Sequence, residues 1–446
     1  MPFSPRKTDP ANAHAHDDHS ADGSLPRQTS KQTLPGNLPL SDQIGLDFLP
    51  LTDHRTYDQH RDPQWQSSKL LLIPGEEANG SPHAIVLGAI DTIVDGANPP
   101  GSPAFRHVQQ SIWDTHAQDA AWSTAHPDDG EYTPTTGPTD NASAQGTNTV
   151  EVWNIASNPD AQIDYTENRW NNGFRFGAVG ASDCHFRELW GTASPGQPTT
   201  WVFASQRSVR AILDAIRAGR TSVSATPQGP FVTIEADVDG DGAFEAIGGD
   251  EVIIRDRKLP KKARLRVRIR NGAGTRVLIY ASPGRSAGPL ATFTPDTADQ
   301  TYLTPFTLDA VHTWYRAEVR APGALSGRDA DPTLPDQLRA ATSPIFISLR
   351  SRAVQEVLDQ ARIDQTGKDR QAKYAIRAGV EGTIHQAVAV TGIRHARYRG
   401  LKKVHLEHVY SALALNRIRL DAWWNGHPPD RTRTSHLARL ELALAT

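Results

Sequence analysis

Apolar residues arrive along the chain in short blocks, at 46–51, 70–73, 84–87, 121–125, 149–153 and 176–179, separated by polar or helix-sized stretches. Each block has the length of a strand and is largely apolar rather than alternating, as in strands covered on both faces. The first 225 residues therefore predict a parallel α/β barrel or sheet. The clearest helix begins behind Ser208, an N-cap residue, sets Val209, Ile212, Leu213 and Ile216 on one face, and stops at Gly219. It reads as a covering helix. From Gly229 to about Leu349 the period changes to two. In residues 264–270, Leu265, Val267 and Ile269 alternate with Arg264, Arg266, Arg268 and Arg270, a half-exposed strand whose Arg side chains form a solvated face. Further strand-like runs at 276–281, 314–319 and 344–349, separated by Gly and Pro, predict a small β-sandwich. Asp237, Asp239, Asp241 and Gly242 start like an EF-hand loop, but Gly248 stands where the last ligand, a Glu, belongs, so a turn-rich hairpin is expected there. Beyond residue 350 Pro and Gly thin out and Ala, Leu, Gln and Arg take up helical periodicity. These changes divide the chain into 1–226, 227–350 and 351–446.

A chain of 446 residues is long enough for two or three such domains. No run approaches the roughly 20 apolar residues of a membrane span, and no secretory signal is visible, so a cytoplasmic protein is expected. Cys184 is the sole cysteine. An intrachain disulfide and a Cys-based zinc site are excluded, and any metal must be held by His and carboxylates. The net charge of −3 conceals an asymmetry: residues 351–446 hold sixteen Lys and Arg against nine Asp and Glu, leaving a deficit of ten for the rest.

The candidate chemistry lies at the ends of the apolar blocks. His14 and His16 stand two apart, Asp22 follows, and Asp53 with His54 comes directly after the 46–51 block. Glu77 follows 70–73, His83 precedes 84–87, His126 ends 121–125, and Asp183 and His185 follow 176–179. One His-x-His pair decides little, although two imidazoles at i and i+2 on a strand reach one side. Repetition decides more, because in parallel α/β barrels the carboxyl ends of the strands converge on one face. Arg55 and Arg187 sit beside these positions and could clamp an anion or serve as structural ion-pair partners. His19, His60, His107 and His116 fall outside the set.

The ordered motifs His14-Ala15-His16, Ser20-Ala21-Asp22-Gly23, Leu51-Thr52-Asp53-His54, Gly75-Glu76-Glu77, His126-Pro127 and Ser182-Asp183-Cys184-His185 resemble those of the PHP (polymerase and histidinol phosphatase) metallohydrolases. Trp314-Tyr315-Arg316 and Ser343-Pro344-Ile345 resemble the carbaryl-hydrolase-like branch, which carries a β-sandwich after the barrel; the resemblance covers about residues 12–349. It implies a distorted (β/α)7 barrel and metal ligands at His14, His16, Asp22, His54, Glu77, His83, His126, Asp183 and His185. The implied grouping gives a first ion His14, His16, Glu77 and Asp183, a second Glu77, His83 and His126, and a third Asp22, His54 and His185, with Glu77 bridging. Glu77, Asp183 and His185 are the implied catalytic residues. Two or three divalent ions per chain, zinc, manganese or iron, would activate water against a small-molecule phosphoester, or a carbamate, amide or carboxylic ester. The chain departs from the pattern in Asp17 and Asp18 after His16, in Arg55 after His54, and in the short stretch before His14.

From about residue 355, the runs Tyr374 to Thr383, Arg397 to Gly400, and Asn416 with Ile418 and Arg419 resemble the C-terminal end of an insertion-sequence DDE transposase. The resemblance makes Glu381 the third carboxylate of a two-metal strand-transfer site, but the two preceding Asp residues have no counterpart, and one carboxylate cannot hold two ions. The tail reads as a helical remnant without transposase chemistry, whose charge would give weak, salt-sensitive nucleic-acid binding. The rival readings are a DNA-binding, transposase-derived protein and a catalytically inactive fusion.

Overall fold

The computed structural model describes residues 7–13, 15–19, 33–78, 83–93, 108–127, 144–154, 158–185, 194–254, 263–306, 313–323 and 336–349, and beyond these 409, 412, 413 and 417, which are helical. The chain divides into two compact units, Met1–Ser351 and Arg352–Thr446. The first is a mixed α/β fold with a large sheet and few helices among the described residues. No described helix is long and apolar enough to cross a membrane.

Its first part runs β1 (Lys7–Ala11), α1 (Leu34–Ile44), β2 (Phe48–Leu51), β3 (Leu71–Ala78), β4 (Ala84–Leu87), α2 (Val108–Ala117), β5 (Ala121–Thr124), β6 (Thr149–Asn154), α3 (Pro159–Asn171), β7 (Gly177–Ala181), β8 (Thr199–Ala204), α4 (Val209–Arg217) and β9 (Thr221–Ser224). The all-apolar blocks become strands buried along both faces, as expected of strands that other layers cover. α4 forms where periodicity placed it: the Ser208 side chain caps Ala211 N–H, and Ile212, Leu213 and Ile216 pack with Phe48, Ile73, Ile85 and Val202. β1, β2 and β3 run parallel, as do β5, β6 and β7, but β4 opposes both β3 and β5. β8 is antiparallel to β1 and β9 to β8. The two ends of the β1-to-β7 path meet just beyond the strands: Ala15 and Cys184 form a parallel bridge, and His16 N–H donates to Cys184 O at 3.0 Å. Below it, Asn12 Nδ2 donates to Ser182 Oγ at 2.7 Å and Ser182 N–H returns a bond to Asn12 Oδ1 at 2.9 Å.

The later strands are β10 (Phe231–Asp237), β11 (Ala246–Ile247), β12 (Glu251–Ile254), β13 (Arg264–Arg270), β14 (Arg276–Ala281), β15 (Ala291–Phe293), β16 (Gln300–Pro305), β17 (Trp314–Ala321), β18 (Gln337–Thr342) and β19 (Ile345–Leu349). β11-β10-β13-β16 make a four-stranded sheet, while β12, β19, β17, β18, β14 and β15 extend the large sheet from β9. One hydrophobic cluster draws on both: Val232, Ile234, Leu265, Val267 and Ile269 from the small sheet, Val277, Ile279, Ala317, Val319 and Ile345 from the large one. β13 alternates as its sequence requires, and part of its Arg face is paired locally: Arg266 pairs with Glu235 through two 2.7 Å bonds and Arg264 with Asp237 at 2.8 Å, while Arg268 and Arg270 are exposed. The acidic run after β10 is a turn in which Asp237, fully buried, accepts from Gly240 N–H and Gly242 N–H, consistent with the expected hairpin.

Buried charge joins α3 to β17. Arg316 donates to Glu167 and Glu318, Arg320 to Glu318 and Asp160, with Arg316 1% and Glu318 0% exposed. Ordered opposing charges of this kind offset the desolvation of each member.

Candidate metal centre

Strand direction decides what the site collects. With β4 reversed, the residue before β4 lies at the same rim as the end of β3 and the residues after β2, β5 and β7, so His83, Glu77, His54, His126 and Asp183 with His185 converge. Period two decides between Glu76 and Glu77: Glu77 shares a face of β3 with Ile73 and Gly75, and Glu76 points to the other side, where Oε2 accepts from Ile93 N–H at 2.8 Å. The pairing continues beyond the strands, with a His54–Glu77 parallel bridge, Glu77 N–H to Asp53 O at 3.0 Å and Thr52 N–H to Ala15 O at 2.9 Å. Gly75 is required by this close approach, because a Cβ there would lie 2.7 Å from Thr52 Cγ2 and 2.8 Å from Leu51 O.

Glu77 is 1% exposed and stands at the middle. Its Oε2 lies 2.8 Å from His54 Nδ1 and 3.2 Å from His16 Nε2, its Oε1 2.8 Å from His83 Nδ1 and 3.6 Å from His126 Nε2. Asp183 Oδ1 lies 3.2 Å from both His16 Nε2 and His185 Nδ1, and His54 Nε2 lies 3.1 Å from His185 Nε2. The His16 and His185 rings stack at 3.8 Å. Three groups of donor atoms have the compactness an ion needs: His16, Glu77 and Asp183; Glu77, His83 and His126; His16, His54 and His185. Donors held about 2.0–2.2 Å from one ion are separated from each other by about 3.0–3.5 Å, the range of most of these distances, so the donor set fits divalent metal. Glu77 belongs to two of the groups and His16 to two. The least buried side chains are His83 at 25% and His185 at 20%, which places the opening on their side.

The electrostatics suit the same use. Burial, then the neighbouring His16, hold His185 down at about 4, leaving a neutral imidazole with a lone pair at pH 7. Burial first, then the Asp17 carboxylate, raise Asp53 well above the ordinary carboxylate range, and burial raises Asp17. Asp53 Oδ1 accepts Asp17 N–H at 2.7 Å and lies 4.0 Å from His16 Nδ1, behind the ring. Burial pushes the Cys184 thiol up to about 12, so it stays protonated beside the centre. Strain is local as well. Of the five described non-glycine residues with positive φ, Arg55 (60°), His126 (23°) and Asp183 (49°) are ligand candidates or their neighbour. Such conformations persist where surroundings over-determine them, and they gather at functional sites.

Of the nine ligands implied by the motifs, His16, His54, Glu77, His83, His126, Asp183 and His185 come together; His14 and Asp22 lie outside the described residues, as do Arg187, His107 and Glu381. Arg55 is exposed and donates its N–H to Glu77 O at 3.0 Å. His19 bonds Asp17 at 3.0 Å, His60 bonds Tyr57 O, and His116 bonds Asn148 at 3.1 Å, all apart from the Glu77 cluster. Two further acidic groups could hold an ion by proximity alone, Asp17-Asp18-His19 and Asp237-Asp239-Glu245. Glu151 and Asn154, which touch His126 and Asp183, were not legible as site residues in the sequence.

Comparison with known proteins gives two kinds of likeness. A Transposase DDE domain family matches residues 339–420, under a fifth of the chain. That match begins inside β18, earlier than the change of pattern near 355, and its first residues are strands paired to β17 and β9 within the first unit. No curated protein matches the chain. Among solved structures, a two-domain protein from Bacteroides vulgatus, containing a predicted PHP-like metal-dependent phosphoesterase, is 15% identical with TM-score 0.38, over 76% of this chain and 97% of that one. A metal-dependent phosphoesterase structure from Bifidobacterium adolescentis is 12% identical with TM-score 0.27, over 39% and 86%. An amidohydrolase from Chromobacterium violaceum with bound sulfate and no metal is 16% identical with TM-score 0.27, over 39% and 87%. The chain is thus similar to the transposase DDE domain over residues 339–420, while its likenesses to solved structures, at 12–16% identity and TM-scores of 0.27–0.38, assign it no activity.

Proposed function

We propose that the first unit is a PHP-type metal-dependent hydrolase, built as a distorted barrel (1–226) and a β-sandwich (227–350), and that residues 351–446 are an appended helical remnant. The observation that carries this is Glu77: a carboxylate 1% exposed, with four imidazoles from four segments aimed at its two oxygens at 2.8–3.6 Å. A folding role alone would not require five buried or half-buried imidazoles around two carboxylates, because burying so many titratable groups is costly without a shared partner.

In this reading His16, Glu77 and Asp183 would hold one ion, with His14 beside them; Glu77, His83 and His126 a second; and His54 and His185, with Asp22, a third. When bound, zinc, manganese or iron would supply Lewis acidity toward the ester and acidify the attacking water. The chain's residues do the rest. Glu77 divides its two oxygens between neighbouring donor groups and fixes their spacing. Neutral His185 keeps a lone pair available at pH 7, and Asp183 holds Oδ1 toward His16 and His185. The buried floor, with His16 and Glu77 each 0–1% exposed, excludes bulk water and leaves access past His83 and His185. Small phosphoesters are the preferred substrate class, with carbamate, amide and carboxylic esters next.

The transposase match favours a second reading, nucleic-acid binding by the basic tail, without strand-transfer chemistry because two of three carboxylates have no counterpart. Hydrolysis of an aryl phosphate and an aryl carbamate separates the two. His54→Ala and Asp183→Ala should abolish it and Glu381→Ala leave it unchanged; a His54→Ala enzyme as active as wild type contradicts the proposed site.

A further inference from the structure

We infer that Glu151 and Asn154 are a positioning pair that sets the Asp183 carboxylate and the His126 backbone, and so ties together the donor groups on either side of Glu77. The inference rests on the metal-centre reading. Both residues are fully buried on β6, Glu151 within the strand and Asn154 at its last position. The Asn154 amide donates to Glu151 Oε2 at 3.0 Å and to Asp183 Oδ2 at 3.3 Å, and the same Glu151 oxygen accepts His126 N–H at 3.0 Å. Asp183 is thereby committed at both ends: Oδ2 is held by the amide while Oδ1 faces His16 and His185. Rotating that carboxylate away from the centre would break the hydrogen bond from the Asn154 amide.

The sequence spacing conceals this pair. Residues three apart on a regular strand point to opposite faces, but the β6–β7 register shifts between Glu151 and Trp153, and the bulge brings Glu151 and Asn154 to one side. α3 fixes the strand end, since Gln162 Oε1 accepts Asn154 N–H at 3.1 Å. Each arm of the pair ends on a strained residue, His126 at φ 23° and Asp183 at φ 49°. Those backbones need partners that over-determine them, and the pair supplies one to each. Only a side chain with two donors satisfies two carboxylate oxygens here. Asp at 154 would bring three carboxylates together, and Leu would keep the shape without either bond.

The test is a Mn2+ titration of the chelator-treated full-length chain, following free Mn2+ by electron paramagnetic resonance, with the melting temperature of each apoprotein measured beside it. Asn154→Leu should weaken Mn2+ binding by about 10–100-fold, the usual effect of losing a partner that orients a ligand. Asn154→Ser, which removes the amide without apolar bulk, is the second variant and should change in the same direction. Glu151→Ala should weaken binding in the same direction, because it removes the acceptor of both N–H groups. A merely structural pair would lower the apoprotein melting temperature and leave the affinity of the folded variants unchanged, which would overturn the inference. A folded Glu151→Ala variant that binds Mn2+ as wild type does would overturn the acceptor role. Wild-type chain that takes up no Mn2+ would overturn the metal-centre reading and this inference with it.

Discussion

Arg316→Met should cost the folded chain about 3–5 kcal/mol, the penalty of removing one partner from a buried ion pair. The guanidinium is 1% exposed; its Nε and Nη2 donate to Glu167 Oε1 at 2.8 and 2.5 Å, its Nη1 to Glu318 Oε2 at 2.7 Å, and it lies 4.8 Å over the Tyr280 ring. Methionine fills much of the volume but leaves Glu318, 0% exposed, with Arg320 alone among these bonds. With an unfolding entropy of about 2.1 cal/mol/K per residue, the unit Met1–Ser351 loses about 0.7 kcal/mol per degree, so the melting temperature should fall by about 4–7 °C. The pH dependence follows from Glu318. Burial raises its pKa, but Arg316 and then Arg320 overcome this and hold the carboxyl below its ordinary value. Its contribution is therefore present above the unfolded value of about 4.3 and is lost as pH falls through the lower folded value. Without Arg316, burial prevails and the carboxyl protonates at higher pH, so the penalty should be largest near neutrality and narrow in acid. Adding Glu318→Gln to Arg316→Met should restore part of the loss, as expected of coupled neighbours. Urea denaturation at pH 7 and pH 4 provides the measurement. A cost below about 1 kcal/mol, or one equal at both pH values, would refute the reasoning.

Two further outcomes are expected. Gly75→Ala should destabilise the chain by about 1–3 kcal/mol and loosen metal binding, because its Cβ would meet Thr52 and Leu51 and push β3 off β2 two residues from Glu77; thermal melts with and without Mn2+ check it. Glu76→Gln should retain metal binding, since the amide oxygen can accept Ile93 N–H, whereas Glu77→Gln should lose it; equal losses in calorimetric Mn2+ titrations would remove the distinction drawn from the strand's two faces.

Much of the fold was legible because its core positions obey simple periods. β4 falls on the predicted residues 84–87, β13 on 264–270 and β14 on 276–281, and the 208–219 helix keeps its Ser208 cap. The direction of β4 was not legible, because an apolar block of four reads the same in either sense. β3 runs to Ala78, beyond the apolar block at 70–73, since its polar end is buried by the site rather than by apolar neighbours. The residues gathered around Glu77 stood out as His and carboxylates at block ends. Glu151 and Asn154 did not, because their common face depends on a bulge that no composition announces. The Glu167–Arg316–Glu318–Arg320 network was hidden for a related reason: charged residues normally mark solvent, and only tertiary pairing buries them.

The most direct test of the central claim is the metal content of the chain purified without chelator, by plasma mass spectrometry, beside a variant carrying Glu77→Ala and Asp183→Ala. The account predicts two or three divalent ions per wild-type chain and their loss from the variant. A wild-type chain that is metal-free and takes up no zinc, manganese or iron would contradict it.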